Sequence, residues 1–120
     1  MALSILLVDA DTNHRRALRV ALHLEGVHVG EAESLAEAQR AVTEGAWNCV
    51  VVDLLLPLAE GRRALELLRE SGVTVIGCSA HPELLAMAAR EMEVLAKPLA
   101  PAPLLALARR SPPQRAHHAS

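Results

Sequence analysis

Short apolar runs alternate with segments of helical periodicity along the chain. Runs of four to six apolar residues between helical segments are typical of buried strands in a parallel sheet. The pattern predicts five strands, at 4–8, 27–32, 49–53, 73–78 and 93–96. Each strand is followed by a predicted helix, at 13–24, 35–44, 61–70, 81–92 and 103–110, and a loop is predicted at 54–60.

Three of the predicted helices begin with a recognisable signal. Thr12 is predicted as the N-cap of the first helix, and Ser34 with Glu37 has the spacing of a capping box at the start of the second. Pro82 stands in the first turn of the fourth helix, where proline is favoured.

The alternation of strands and helices predicts an α/β fold with a doubly wound parallel sheet and right-handed crossovers. The carboxyl ends of all strands in such a sheet lie along one edge, and ligands bind there. The polar residues predicted to converge at this edge are Asp9, Asp11, Asp53, Ser79 and Lys97. Carboxylates beside a hydroxyl and an ammonium group are suited to a divalent cation and a transferred phosphoryl group.

The order and spacing of these residues resemble the receiver domain of two-component response regulators, a chemotaxis-regulator-like phosphoacceptor domain. The markers are the acidic residues Asp9 and Asp11, then Asp53, Pro57, Gly61, Ser79–Ala80 and Lys97–Pro98. The resemblance covers roughly residues 3 to 110. It implies a flavodoxin-like (βα)5 three-layer sandwich whose sheet has the order 2-1-3-4-5, with the first and third strands side by side.

The resemblance also implies roles for individual residues. Asp53 is implied as the phosphoacceptor, with Lys97 and Ser79 as partners of the phosphoryl group. Asp9, Asp53 and the Leu55 carbonyl are implied as ligands of Mg²⁺, the cofactor of the site.

Several positions depart from the family pattern. Ala10 stands where the family usually has a second adjacent acid, so we expect weak magnesium binding unless Asp11 supplies the missing oxygen. Asp11 is equally explained as an acid at a helix start, where the helix dipole favours it. Val94 replaces a usual aromatic residue, and the stretch from Ser79 to Lys97 is shorter than usual by about one turn of ~3.6 residues. We therefore expect a remodelled signalling surface.

The implied function is that of a phosphoacceptor switch in a two-component phosphorelay, not of a metabolic enzyme, although self-phosphorylation from phosphodonors and self-dephosphorylation are compatible with it. A sensor histidine kinase or a phosphotransfer protein would supply the phosphoryl group to Asp53. An output protein or a second copy would bind the face formed by the fourth helix, fifth strand and fifth helix. The net charge of -2 gives no reason to expect direct nucleic-acid binding.

Two alternatives assign other functions to the same residues. Because Ala10 and Val94 replace the usual acid and aromatic residue, the chain is also explained as a degenerate receiver that acts as a phosphorylation-independent interaction module. The stretch Asp9–Asp11 is also similar to the nucleophile motif of haloacid-dehalogenase-like phosphatases, but that interpretation leaves Asp53 unexplained. The identity of the phosphorylated aspartate separates the phosphatase from the receiver.

Composition sets the remaining expectations. The chain has 120 residues, of which 52% are hydrophobic and 22% charged, as in one domain with a substantial core. No apolar run approaches the roughly 18 residues of a membrane span, and the first residues lack a signal-peptide pattern, so we expect a cytoplasmic protein. We expect a receiver domain at 1–110 and a disordered tail or truncated linker at 111–120. Cys49 and Cys78 are interpreted as small buried residues too far apart for a disulfide.

Overall fold

The computed structural model of the protein describes residues 2–114. Its strands are β1 (Ser4–Val8), β2 (His28–Ala32), β3 (Cys49–Asp53), β4 (Val75–Ser79) and β5 (Glu93–Ala96). Its helices are α1 (Thr12–Leu24), α2 (Leu35–Glu44), α3 (Leu56–Glu60), α4 (Arg62–Glu70), α5 (Pro82–Ala88) and α6 (Pro101–Arg109). Strands and helices alternate as the sequence predicts, with α3 as one additional helix.

The five strands form one parallel sheet in the order β2-β1-β3-β4-β5. This order confirms the predicted doubly wound, flavodoxin-like α/β fold. β1 lies beside β3 with Val8 paired to Val52. Asp9 and Asp53, the next residues along the chain, therefore flank the point where the strand order reverses, which is where such folds bind ligands.

Helices cover the sheet on both faces, and the core consists of the apolar residues between these layers. All five residues of the central strand β3 are buried, because helices pack above and below it. The face covered by α2 and α4 includes Leu6, Val8, Val50, Val52, Leu35, Val42, Leu65 and Leu68. The face covered by α1 and α6 includes Ile5, Leu7, Val51, Ile76, Leu18, Leu22, Leu104 and Leu105. This packing fixes the positions of the strand ends.

Several element boundaries differ from the prediction. Residues 54–60, predicted as a loop, contain α3, because Pro57 stands in the first turn, where a helix does not need an amide hydrogen. The predicted helix at 81–92 ends at Ala88, and residues 89–91 form a turn that leads the chain into β5. The last helix begins at Pro101 instead of residue 103, and β4 begins at Val75 instead of residue 73.

The helix caps are predicted correctly at α2 and incorrectly at α1. Ser34 is the N-cap of α2, and its Oγ accepts a hydrogen bond from the Glu37 amide at 3.1 Å. Asp11 is the N-cap of α1, where its Oδ1 accepts a hydrogen bond from the His14 amide at 3.1 Å. The prediction of Thr12 was wrong because a carboxylate also interacts favourably with the positive end of the helix dipole.

The segment after α6 packs against the domain as far as residue 114. Trp47 and Gln114 form an antiparallel bridge in which each backbone amide donates to the other residue's carbonyl at 2.9 Å. The Asn48 side chain donates to the Ser111 carbonyl at 2.8 Å. The prediction of disorder is therefore wrong for residues 111–114. Hydrogen bonds hold this segment against the domain, although the segment has no apolar periodicity. The rest of the predicted tail, 115–120, lies outside the described residues.

Both cysteines are free and buried, as the sequence predicts. Burial raises the pKa of the Cys49 and Cys78 thiols to about 12. Both thiols are therefore protonated and unreactive at neutral pH. Within residues 2–114, no helix is long and apolar enough to cross a membrane.

Candidate functional site

Two buried carboxylates lie side by side at the carboxyl edge of the sheet. Asp9 directly follows β1 and is 4% exposed, while Asp53 is the last residue of β3 and is 6% exposed. The two strands are neighbours in the sheet. Because a buried carboxylate is costly without a partner, the pair requires a positive group close by.

Lys97 provides this positive group. Its Nζ lies 2.8 Å from Asp9 Oδ2 and 3.1 Å from Asp53 Oδ2, so one ammonium group bridges both carboxylates. Lys97 directly follows β5, and its backbone amide donates to the Ser79 carbonyl at the end of β4 at 2.9 Å. The parallel sheet thus brings Lys97, which follows the edge strand β5, to the point between β1 and β3 where the strand order reverses.

The bridge shifts the pKa of both Asp9 and Lys97. Burial alone would raise the pKa of Asp9, but hydrogen bonds from Lys97, the Asp11 amide and His14 outweigh burial and lower it. Burial alone would lower the pKa of Lys97, but its hydrogen bonds to Asp9 and Asp53 outweigh burial and raise it. Asp9 and Lys97 are therefore both charged at neutral pH.

The second oxygen of each carboxylate is held by the backbone. Asp9 Oδ1 accepts a hydrogen bond from the Asp11 amide at 2.9 Å, and Asp53 Oδ1 accepts one from the Leu55 amide at 3.0 Å. Both amides lie two residues beyond the carboxylate, which is the spacing of an Asx-turn. These bonds fix the carboxylates in the orientation in which Oδ2 meets Lys97.

Ser79 lies at the same edge but does not contact the Lys97 bridge. It is buried at the end of β4, and its Oγ accepts a hydrogen bond from the His81 amide at 2.9 Å. The preceding residue, Cys78, pairs with Asp53 across the two strands. Within residues 2–114, the Ser79 hydroxyl makes no hydrogen bond to Asp53 or Lys97.

His14 and Arg15 also belong to the site, although the sequence analysis does not predict them. His14 Nδ1 lies 2.9 Å from Asp9 Oδ2, the oxygen that Lys97 also contacts. Arg15 is buried, donates to the Asp9 backbone carbonyl and pairs with Glu31 of β2 at 2.8 Å. The only signal in the sequence is position, because the first turn of a helix that directly follows a strand lies over the strand end.

The donor set does not fit the magnesium site that the resemblance implies. The Asp11 side chain caps α1, and the Leu55 carbonyl accepts a hydrogen bond from the Ala59 amide at 3.3 Å in the first turn of α3. The two remaining carboxylates are bridged by an ammonium group. In the described part of the chain, no group of three or more His, Cys, Asp or Glu side chains is placed to hold a metal ion.

This chain belongs to the response regulator receiver domains, the family that it matches over residues 5–109. The match confirms the resemblance and makes the chain a signalling domain of two-component systems, not a classical enzyme. The transcriptional regulatory protein SrrA of Staphylococcus aureus is 34% identical over 76 residues, which cover 63% of this chain. The aligned stretch spans 32% of SrrA, so the match covers about a third of that relative's length.

Solved receiver domains share the fold. The CheY-like receiver domain protein from Methanospirillum hungatei JF-1 has a TM-score of 0.74 and 24% identity, covering 92% of this chain and 93% of that one. The CheY-like receiver domain from Methylobacillus flagellatus has a TM-score of 0.75 and 22% identity, covering 90% and 99%. The receiver domain of the sensor histidine kinase PA1611 from Pseudomonas aeruginosa PAO1 has a TM-score of 0.70 and 22% identity, covering 92% and 98%, and was solved with magnesium in its active-site cleft.

Proposed function

We propose that this chain is a phosphoacceptor switch of a two-component phosphorelay and that Asp53 accepts the phosphoryl group. The observation that carries the proposal is the position of Asp53, a buried carboxylate at the end of the central strand with its Oδ2 3.1 Å from the Lys97 ammonium. A carboxylate can attack phosphorus when a nearby positive charge offsets the repulsion between the two anions. Family membership supports this assignment.

In the proposed reaction, a carboxylate oxygen of Asp53 forms a bond to phosphorus while the bond between phosphorus and the donor's leaving group breaks. The leaving group keeps the electron pair, and an imidazole released from a phosphohistidine takes up a proton from solvent. The product is an acyl phosphate. Lys97 then contacts one phosphoryl oxygen, and movement of the Ser79 loop brings its hydroxyl to another.

We propose a sensor histidine kinase or a phosphotransfer protein as the donor and the cytoplasm as the location of the chain. The proposed output surface is the face of α5, β5 and α6, which an output protein or a second copy of the chain would bind. Two observations support this surface: none of the residues of α5 is buried, and β5 is an edge strand of the sheet. The side chains of α5 therefore contribute little to the core and are free to serve recognition.

Labelling with a small phosphodonor tests the assignment of Asp53. Incubation with acetyl phosphate followed by mass mapping should find one phosphoryl group on Asp53 and none in Asp53→Asn. Asp9→Asn, the same change at the neighbouring carboxylate, is the matched control and should still be labelled on Asp53, although more slowly. Label that persists in Asp53→Asn, or that lies on Asp9, would overturn the assignment and favour the phosphatase interpretation.

The second candidate function is a degenerate receiver that binds partners without phosphorylation. Ala10 favours it, because this residue removes a carboxylate that the family uses for magnesium. We propose weak magnesium binding for the same reason. A folded chain that acetyl phosphate does not label, and whose association with partners is unchanged by Asp53→Asn, would support the degenerate receiver.

A further inference from the structure

All four carboxylate oxygens of Asp9 and Asp53 already have a hydrogen-bond donor. Lys97 contacts Oδ2 of both residues, and a backbone amide donates to each Oδ1. A metal ion that bound these carboxylates would share oxygens that already accept hydrogen bonds and would stand close to the Lys97 ammonium, which repels it. The other oxygens that could compensate belong to Asp11, whose Oδ1 caps α1, and to Leu55, whose carbonyl accepts a hydrogen bond from the Ala59 amide in α3.

The charge of the site also differs from the family pattern. Because Ala10 replaces an acid, the crevice holds the carboxylates of Asp9 and Asp53, and Lys97 already neutralises part of their charge. Less repulsion is left for a divalent cation to relieve than in a site with three acids. His14 adds a further contact, since its Nδ1 holds the same Asp9 oxygen as Lys97.

We propose that Lys97 is the resident cation of this site and that Asp53 accepts a phosphoryl group without a divalent metal ion. An ammonium group has three N–H donors. Two of them are directed at Asp9 and Asp53, and the third is available to a phosphoryl oxygen. The inference rests on the proposed function and uses the same transfer step, with an acyl phosphate as donor and its carboxylate as the leaving group.

Magnesium titration of the unphosphorylated protein tests the role of Lys97 independently of phosphorylation. With amide chemical shifts as the readout, the wild type should show no saturable change near Asp9 and Asp53 at millimolar magnesium. Lys97→Met removes the ammonium group from both Oδ2 atoms and should bind magnesium at least about tenfold more tightly, or ~1.4 kcal/mol. Arg109→Met, which removes a positive charge far from the site, should behave like the wild type. Equal affinity of the wild type and Lys97→Met would overturn the inference.

A second variant covers the case in which Lys97→Met does not fold. Ala10→Asp keeps the Lys97 bridge and adds a carboxylate to the crevice. It should therefore bind magnesium saturably, with an affinity about tenfold or more above that of the wild type. Saturable binding to the wild type that Ala10→Asp does not improve would contradict the inference, because the wild-type site would then already be complete.

Labelling by acetyl phosphate in EDTA and in millimolar magnesium chloride tests the transfer step. The wild type should be labelled on Asp53 at the same rate in both, within about twofold, whereas magnesium should accelerate Ala10→Asp by about tenfold or more. Wild-type labelling that requires magnesium would overturn the inference. Absence of label in both conditions would overturn the proposed function, and the magnesium titration would still decide whether Lys97 is the resident cation.

Discussion

At the scale of single residues, Lys97 joins two buried carboxylates that would otherwise repel each other. Removing one member of such a group leaves the others without compensation, and this is costly in a partly buried site. Ion pairs on the surface, such as Arg63 with Glu70, are exposed to solvent and contribute much less. Substitutions at the Lys97 bridge should therefore change stability as well as function.

Asp9→Asn should alter the dependence of stability on pH. Because the folded state lowers the pKa of Asp9, the contribution of Asp9 to stability is full above the unfolded-state pKa and is lost as pH falls through the folded-state pKa. Urea unfolding between pH 7 and pH 3 should therefore show a smaller acid-side loss of stability in the variant than in the wild type. An equal loss in both proteins would contradict the role of Asp9 in the bridge.

Lys97→Met is the complementary variant at the alkaline end. The folded state raises the pKa of Lys97, so its contribution is full below the unfolded-state pKa and is lost as pH rises through the folded-state pKa. The wild type should lose stability in that alkaline range, and the variant should lose less. Unfolding curves with the same alkaline slope would show that the bridge does not stabilise the fold.

At the scale of the elements, α3 determines which backbone groups beside Asp53 are hydrogen-bonded. It turns the segment after β3 into a helix, which engages the Leu55 carbonyl. Its last residue, Glu60, accepts hydrogen bonds from the Leu35 amide at 2.9 and 3.1 Å, which ties α3 to the start of α2. The backbone that follows the candidate phosphoacceptor is therefore held at both ends.

The segment after α6 provides a prediction about stability. Deletion of residues 111–120 removes the bridge of Gln114 to Trp47 and the hydrogen bond from Asn48 to Ser111. Because each hydrogen bond contributes about 1 kcal/mol and ~1 kcal/mol corresponds to about 4 °C in a domain of this size, Tm should fall by several degrees. Thermal unfolding followed by circular dichroism measures this change.

Deletion of residues 115–120 alone is the matched control, because it keeps Ser111 and Gln114. Its Tm should stay near that of the wild type. If the longer deletion also left Tm unchanged, the contacts of residues 111–114 would have no stabilising role, and the tail would behave as the sequence pattern alone predicts.

At the scale of the whole molecule, the strand order places the site and the proposed output surface on neighbouring elements. Lys97 follows β5 directly and contacts Asp53 at the switch point, while α6 begins four residues later at Pro101. A change at Asp53 can therefore reach the α5, β5 and α6 face through Lys97. This route is a physical connection between the candidate phosphoacceptor and the proposed output surface.

Charge reversal tests whether this face binds a partner or a second copy. Arg90→Glu, in the exposed turn between α5 and β5, and Arg109→Glu, at the exposed end of α6, should weaken association of the phosphorylated protein in sedimentation velocity. Arg40→Glu, at an exposed position of α2, is the control and should leave association unchanged. If all three variants associate like the wild type, the interface lies elsewhere.

The fold and the convergence of the candidate site follow from patterns in the amino-acid sequence. Buried parallel strands require apolar runs, and crossover helices require helical periodicity. Both patterns can be recognised in short stretches of the sequence. Because parallel strands all end at one edge, the placement of Asp9, Asp53, Ser79 and Lys97 at that edge also followed from the pattern. The bounds of β1, β3 and β5 were predicted as the structure has them, whereas β4 begins two residues later than predicted.

The partner of each polar group, in contrast, depends on how the helices and strands pack together. The Asp11 carboxylate could cap α1 or reach the site, the Leu55 carbonyl could stay free or enter a helix, and Lys97 could point to solvent or to the carboxylates. His14 contacts Asp9 because α1 packs on the sheet. Gln114 contacts Trp47 because α6 leads the chain back to the opposite edge of the sheet, where the strands begin. These choices depend on competition among hydrogen-bond partners that are distant in sequence, and a local pattern contains no information about their distances.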